Sequence, residues 1–325
     1  MAIDPLWIPL AIALGLLLLA TALVAAVLAP FTRRRRVLRV ALLGAVYLYL
    51  DLRLLLGCTW LWLRYPNADR DDLQWRERHS ALLARTLTRL LAAAHALLGY
   101  DVQFVGSQPL AQHDRPLVVL ARHAGPGDSF TLVHLLTTRL DRNPRVILKQ
   151  ALQWDPGLDV VLTRLDCEFL PSTSGAGEDR AAAVAELCRQ LEPSDALLLF
   201  PEGGNWTPRR HRRSVVRLLR AGRRRDADRV RARTNVLPPR PGGTVAALSA
   251  RNDTDVLVVA HAGLDRLVNP GQIWRALPLH LRPMRIRVWL HPAADVPREE
   301  QAIRTWLERQ WELIDQWVNT ERHYD

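Results

Sequence analysis

From about residue 100 onward the chain alternates short apolar runs with longer helical stretches, and this alternation limits the folds open to it. The apolar runs are Leu117–Ala121, Arg145–Leu148, Val160–Leu162, Ala196–Phe200, Val256–Ala260 and Ile286–Leu290. Between or after them, Phe130–Leu140, Asp179–Leu191, Val245–Ala250 and Glu299–Val318 are long or periodic enough for helices. The pattern predicts an α/β domain built on a central mixed, largely parallel sheet flanked by helices. Upstream, Trp75–Leu98 sets Leu83, Leu87, Leu90, Leu91, Ala94 and Leu98 at helical spacing, with Arg78, Arg85 and Arg89 between them. That spacing predicts an amphipathic helix.

The N-terminal region obeys different rules. Leu6–Ala29 carries no charge, and Thr21 is its only polar side chain. As a helix it would be roughly 36 Å long, enough to cross a hydrocarbon core of about 30 Å. A cleaved signal peptide would place its basic residues before the apolar run, whereas Arg33–Arg36 follow it, so a retained transmembrane helix is expected. The positive-inside rule then leaves the bulk of the chain on the cytoplasmic side of the cell membrane. A second apolar stretch, Val40–Leu63, is interrupted by Asp51 and Arg53. Two charges near its middle favour an interfacial or re-entrant helical segment over a second crossing. Cys58, Cys167 and Cys188 form neither a disulfide framework nor a zinc-ligand spacing.

Charge is concentrated rather than spread. The formal net charge is +11, from 44 Lys+Arg against 33 Asp+Glu, and Lys149 is the only lysine. Residues 31–40 contribute +5 and the arginine-rich insert 209–233 contributes +10, which leaves the remainder mildly acidic. Patches of this kind seek phosphate. With a membrane anchor upstream and no recognisable nucleic-acid-binding module, an anionic membrane surface is the expected partner in preference to nucleic acid.

In open α/β sheets, sites form beyond the carboxyl ends of strands. Leu117–Ala121 is followed by Arg122 and His123, then by Gly125-Pro126-Gly127 and Asp128. The glycines and proline rule out a continuous helix and let the chain fold back, so the Asp128 carboxylate can hold one ring nitrogen of His123. The other nitrogen is then free to take a proton from a hydroxyl, a general-base pair without its own serine or cysteine nucleophile. Ala196–Phe200 is followed by Pro201, Glu202, Gly203, Gly204 and Asn205, and Val256–Ala260 by His261. No role for His261 follows from its position.

These residues resemble the motifs of the 1-acylglycerol-3-phosphate acyltransferases and their relatives. His123 to Asp128 is similar to the family's His-x4-Asp motif and Phe200 to Gly203 to its Phe-Pro-Glu-Gly motif. Lys149, Leu152 and Pro156 resemble a Lys-x-x-Leu-x-x-x-Pro segment between them, and Val236 to Gly243 resembles a Pro-rich fourth motif. The resemblance implies transfer of a fatty acyl group from acyl-CoA or acyl-carrier protein to the hydroxyl of a lysophospholipid, without cofactor or metal. It implies that His123 is the general base, that Asp128 orients it, and that Glu202 and Gly203 help place the acceptor. The corresponding organisation is a membrane anchor with interfacial segment over 1–64 and a catalytic domain over 65–325.

The resemblance is incomplete where the family places two phosphate-gripping arginines. Phe169 and Leu170 are followed by Pro171 and Ser172, and Glu202-Gly203 by Gly204 and Asn205. Asn205–Pro208 and Leu237–Arg240 are closer to the branch that acylates lysophosphatidylglycerol, lysocardiolipin or lysophosphatidylinositol, whose diester phosphate carries a single charge. Lys149, Asn205, Arg209 and Arg210 are the substrate-binding candidates that this leaves. Two other readings remain open: an acyltransferase for a different lipid acceptor, and a basic membrane-associated scaffold or nucleic-acid-binding protein.

Overall fold

The structure, a computed structural model, describes residues 7–28, 35–66, 72–106, 114–149, 153–170 and 177–322. Its centre is a seven-stranded sheet. The strands are β1 (Val102–Phe104), β2 (Leu117–Ala121), β3 (Asn143–Lys149), β4 (Glu168–Leu170), β5 (Asp195–Leu199), β6 (Asp255–Ala262) and β7 (Met284–His291), in the order β1-β7-β6-β2-β5-β3-β4. Only the β6–β7 pair is antiparallel. The chain thus has the mixed, largely parallel α/β fold expected from the alternation.

Every residue of β2 and β5 is buried, because both faces of the sheet are covered. On one face Leu117, Val119, Ala121, Leu198 and Val259 pack with Leu83 and Leu87 of α3 (Leu73–Leu98), Leu132 of α4 (Asp128–His134) and Val161 of α5 (Pro156–Arg164). On the other, Val118, Leu120, Leu197 and Val258 meet three further helices. These supply Val184 and Leu187 from α6 (Gly177–Arg189), Ala247 and Leu248 from α9 (Pro241–Ala250), and Ile303, Trp311 and Ile314 from α11 (Glu300–Glu321). Each such aliphatic side chain contributes about 1.5–3 kcal/mol by leaving water.

Three local expectations change. Val160–Leu162 is not a strand but the middle of α5, which the Asp155 side chain caps by accepting from Leu158 N at 3.2 Å, with Pro156 in the first turn. Three consecutive apolar residues fit either period, and the cap decides. The strands β1 and β4, three residues each, fall below what alternation can reveal. The basic insert is a pair of helices, α7 (Pro208–Arg220) and α8 (Arg224–Ala232), closed over Val215, Ala227 and Val230. His211 Nε2 lies 2.8 Å from the carbonyls of both Val230 and Arg233 and ties their ends.

The apolar N-terminal region forms α1 (Trp7–Leu28) and α2 (Arg36–Arg64), which pack on each other. Asp51 does not interrupt the exposed surface of α2. It is buried against α5, where Gly157 leaves room that a Cβ would take from the Asp51 side chain. Arg53 reaches back along the helix to the Tyr49 hydroxyl at 3.2 Å. With Asp51 turned inward, Tyr49, Leu52, Leu56, Trp60 and Leu63 form an exposed apolar flank. By length and composition both α2 and α3 could cross a membrane, although α3 also buries Trp75, Leu83 and Leu87 in the domain.

Candidate active site

Parallel pairing of β2 with β5 and β6 brings their carboxyl ends to one edge, with Leu120 opposite Leu199 and Ala121 opposite Val259. His123, Glu202 and His261, far apart in sequence, therefore meet there. The loop after β2 turns back through Gly125 (φ 91°) and Gly127 (φ 78°). A Cβ on Gly125 would stand 2.7 Å from the Leu264 carbonyl oxygen, so both conformation and space require glycine.

This turn delivers Asp128 to His123. His123 Nδ1 lies 2.7 Å from Asp128 Oδ2, which also accepts from Ala124 N at 2.9 Å. Asp128 Oδ1 accepts from Ser129 N at 2.6 Å and from its hydroxyl at 3.2 Å. Burial pushes the Asp128 pKa up, but the His123 hydrogen bond, the His261 and His123 imidazoles and the Ser129 amide outweigh it and hold it below the ordinary carboxylate value. An ionised Asp128 fixes the proton of neutral His123 on Nδ1 and leaves Nε2 as an acceptor. The His123 side chain is 21% exposed, so Nε2 can reach a ligand. Its ring lies against Phe200, with centroids 4.5 Å apart, and its carbonyl accepts from Trp206 N at 2.8 Å.

A second histidine stands behind the carboxylate. His261 is buried, with Nε2 3.7 Å from Asp128 Oδ2 and 3.1 Å from the Arg122 carbonyl. Burial lowers its pKa to about 4, so it is neutral at pH 7, and a carbonyl facing Nε2 places the proton on that nitrogen.

The comparisons with known proteins bear on this edge. Residues 101–262, which contain β2, β5, β6 and the His123–Asp128 turn, match the sequence model of the family described as Acyltransferase. The chain therefore carries an acyltransferase domain over these residues. Its fold is similar to that of the 1-acyl-sn-glycerophosphate (LPA) acyltransferase PlsC from Thermotoga maritima. The TM-score is 0.57 at 17% identity, over 88% of this chain and 98% of that one. A search of curated proteins found no match.

The remaining candidates of this acyltransferase are distributed as follows. Glu202 points inward: it is buried, and Oε2 accepts from Leu237 N at 3.2 Å, so its contact is with the 236–240 loop. Burial pushes its pKa up to about 8, with the Arg122 charge and the Leu237 amide acting the other way. Gly203 (φ 67°) lies under the Arg240 guanidinium and Gly204 (φ 156°) under that of Arg210. Asn205 is exposed, and its carbonyl accepts from Arg210 Nη1 at 3.1 Å. Arg209 is exposed in the first turn of α7. Lys149 ends β3 opposite Leu170, on the same side of the sheet but two strands from β2. Its side chain lies outside the described residues, as do Leu152, Pro171 and Ser172. Pro156 opens α5.

One group that sequence reasoning missed holds the edge together. Arg122 is fully buried and donates to the carbonyls of Asn235 (3.1 and 2.6 Å) and His261 (2.5 Å) and to Asp265 (3.0 Å). Asp265 also pairs with Arg322 at the end of α11. With two guanidinia beside it, its carboxyl is held far below the usual range in spite of burial. The sequence signal was available: an arginine directly after five apolar strand residues either faces water or is fully paired.

Proposed function

We propose that the protein is a membrane-bound O-acyltransferase. It would transfer a fatty acyl group from acyl-CoA or acyl-carrier protein to the hydroxyl of a lysophospholipid, either lysophosphatidic acid or a lysophosphodiester. The observation that carries this reading is the 2.7 Å contact between Asp128 and His123 Nδ1, on a histidine whose side chain is part-exposed. The acceptor hydroxyl gives its proton to Nε2 as its oxygen attacks the thioester carbonyl. A C–O bond forms, the C–S bond breaks, and the departing thiolate takes the proton back from His123. Asp128 keeps the ring in one tautomer and offsets the charge it carries between the two transfers. Glu202 acts from behind, holding the loop that borders the acceptor, while Gly203 and Asn205 shape the turn; Arg209 and Arg210, and Lys149 at the end of β3, are the candidates for the head group. The uncharged α1 and the apolar flank of α2 support residence at the cell membrane, with the site on the cytoplasmic side.

The test is thiol release from acyl-CoA in the presence of a panel of lysolipids, for the native chain and for His123→Ala. Release stimulated by a lysolipid and reduced about 10²–10⁴-fold in the variant is expected. Release that no lysolipid stimulates, or that survives in His123→Ala, would overturn the assignment.

A further inference from the structure

The two helices of the basic insert carry their charge differently. α8 and its cap offset part of theirs internally: Asp226 accepts from Arg223 at 2.7 Å and from Arg229 at 2.5 Å, and Asp228 from Arg231 at 2.9 Å. α7 holds six arginines and no acid, and among the described residues none of the six forms an ion pair. Its inner side is closed, with Val215 buried against Ala227 and Val230 and Leu218 packed on them. At 100° per residue the opposite side collects Arg209, Arg212, Arg213, Val216, Arg217 and Arg220, spaced three and four apart. All six are exposed and line one shallow groove. Val216 stands in the middle of this face and Leu219 at its flank, 44% and 41% exposed. The hairpin is held to the domain at both ends. Arg233 pairs with Glu308 of α11 at 2.5 Å, and Thr207 caps α7 by accepting from Arg210 N at 3.2 Å. The cap directly follows Trp206, whose amide bonds the His123 carbonyl, so the outer face of α7 has a set direction relative to the catalytic edge.

Five guanidinia around one valine, on a single helix roughly 20 Å long, are complementary to a flat anionic surface rather than to a ligand in a cleft. Each arginine near an anionic leaflet strengthens binding about fivefold. Apolar side chains at the centre and flank of the same face let such a helix settle at the boundary between head groups and acyl chains. Nucleic acid would match the charge but leave Val216 and Leu219 without an apolar partner. We infer that α7 lies along an anionic phospholipid bilayer by this outer face, with α8 turned away toward water. The contact is additional to the hydrophobic helices α1 and α2 and is made by a segment far from them in sequence. It fixes how the His123 edge is set against the lipid that brings the acceptor, and for that role alone it rests on the acyl-transfer reading.

The test follows the position of α7 and needs no turnover, so its failure is distinct from failure of the acyl-transfer reading. The full chain carries an environment-sensitive fluorophore at Val216→Cys, the three native cysteines being buried. It is reconstituted in bilayers of phosphatidylcholine with or without phosphatidylglycerol. A blue shift of the label and its quenching by spin-labelled lipid are expected only with phosphatidylglycerol, and both should fade in high salt. The same label at Ala232→Cys, an exposed position that the buried Ala227 and Val230 place on the far side of α8, should stay in water. Arg212→Gln, Arg213→Gln, Arg217→Gln and Arg220→Gln together should cut the quenching at Val216→Cys tenfold or more. Replacing the same four by lysine should leave it within twofold, because a lipid surface reads charge rather than the guanidinium fork. If the glutamine set fails to fold, Arg213→Gln with Arg220→Gln keeps the test valid and should cut quenching at least threefold. An equal response in neutral bilayers, the same response at both labels, loss of the response in the lysine set, or a response to duplex DNA but not to phosphatidylglycerol overturns the inference.

Discussion

Strand β5 has a buried carboxylate near each end, and the two keep different company. Asp195, its first residue, accepts on Oδ2 from Arg145 at 3.1 Å, from Arg76 at 3.4 Å and from Glu192 N at 3.1 Å. Glu202, just past its last residue, accepts on Oε2 from Leu237 N, with the Trp311 indole and the His123 amide as further neighbours and no arginine among its hydrogen-bond partners. The nearby cation, Arg122, spends its donors on Asn235, His261 and Asp265. Each carboxylate leaves one oxygen without a hydrogen bond, so they differ in cations rather than in complete satisfaction. The contrast extends along the whole edge. At the amino ends of the strands Arg142 donates to the Arg115 and Pro193 carbonyls, and Arg298 to those of Arg251 and Ala293, so these guanidinia are consumed by the scaffold. At the carboxyl ends, Arg122 is committed in the same way, whereas the exposed Arg210 gives Nη1 to the Asn205 carbonyl. An arginine's role here follows from how many of its donors are already used.

The largest expected effects separate the two edges by readout. His123→Ala should lose about 10²–10⁴-fold in acyl transfer while its unfolding midpoint stays within the scatter of the native protein, because the side chain is part-exposed and packs on one ring. Asp195→Ala should do the reverse. It leaves Arg145 and Arg76 buried with one carboxylate fewer, at a cost of about 3–5 kcal/mol in denaturant unfolding. Protein that remains folded should keep its KM values. If Asp195→Ala instead lowered turnover without lowering stability, the division between the edges would fail.

Glu202 offers a sharper version of the contrast. A carboxyl with a pKa of about 8 in the fold and 4.5 when unfolded binds its proton more tightly in the native state. The resulting stability is complete below pH 4.5 and is lost as pH rises through 8. At about 1.4 kcal/mol per pH unit the loss across that window is about 5 kcal/mol. Glu202→Gln keeps an oxygen for Leu237 N and does not titrate, so it should match the native protein near pH 4.5 and exceed it in stability at pH 8.5. Urea unfolding at a series of pH values measures this, and a difference that does not vary with pH would show that Glu202 is ionised in the fold.

How much of this was legible in the sequence depends on where each partner came from. β2, β5 and β6 announce themselves as unbroken apolar runs because both faces of each are covered, and the His123–Asp128 contact is local, set by two glycines. Val160–Leu162 misleads because three apolar residues carry no period, and the Asp155-Pro156 start of α5 outweighs them. His261 had no role in the sequence because its partner, Asp128, lies on another element and is joined to it only through the β2–β6 register. The basic insert was legible as a charge block over 209–233, but its closure into α7 and α8 over Val215, Ala227 and Val230 was not, because that contact joins residues on either side of Gly222.

The smallest of these effects belongs to His261, which also tests whether the carboxyl edge is built to keep Asp128 for one histidine. Its pKa of about 4 in the fold, against 6.5 unfolded, means that the unfolded chain binds a proton between those values which the native state does not. Its contribution to stability is therefore intact above pH 6.5, falls as pH drops toward 4, and levels off once the folded form also protonates. The size is about 3 kcal/mol by the same conversion. In His261→Gln the amide can still donate to the Arg122 carbonyl and cannot titrate, so the gap in unfolding free energy between native and variant should shrink or reverse between pH 7 and pH 4. The same protonation would put a second cation 3.7 Å from Asp128 Oδ2. It would compete with His123 for the carboxylate, so native turnover should fall more steeply than that of the variant below pH 5. Parallel pH profiles for the two proteins would mean that His261 packs beneath the site without acting on it. Profiles that diverge only on the acid side would make it the residue that keeps Asp128 committed to His123.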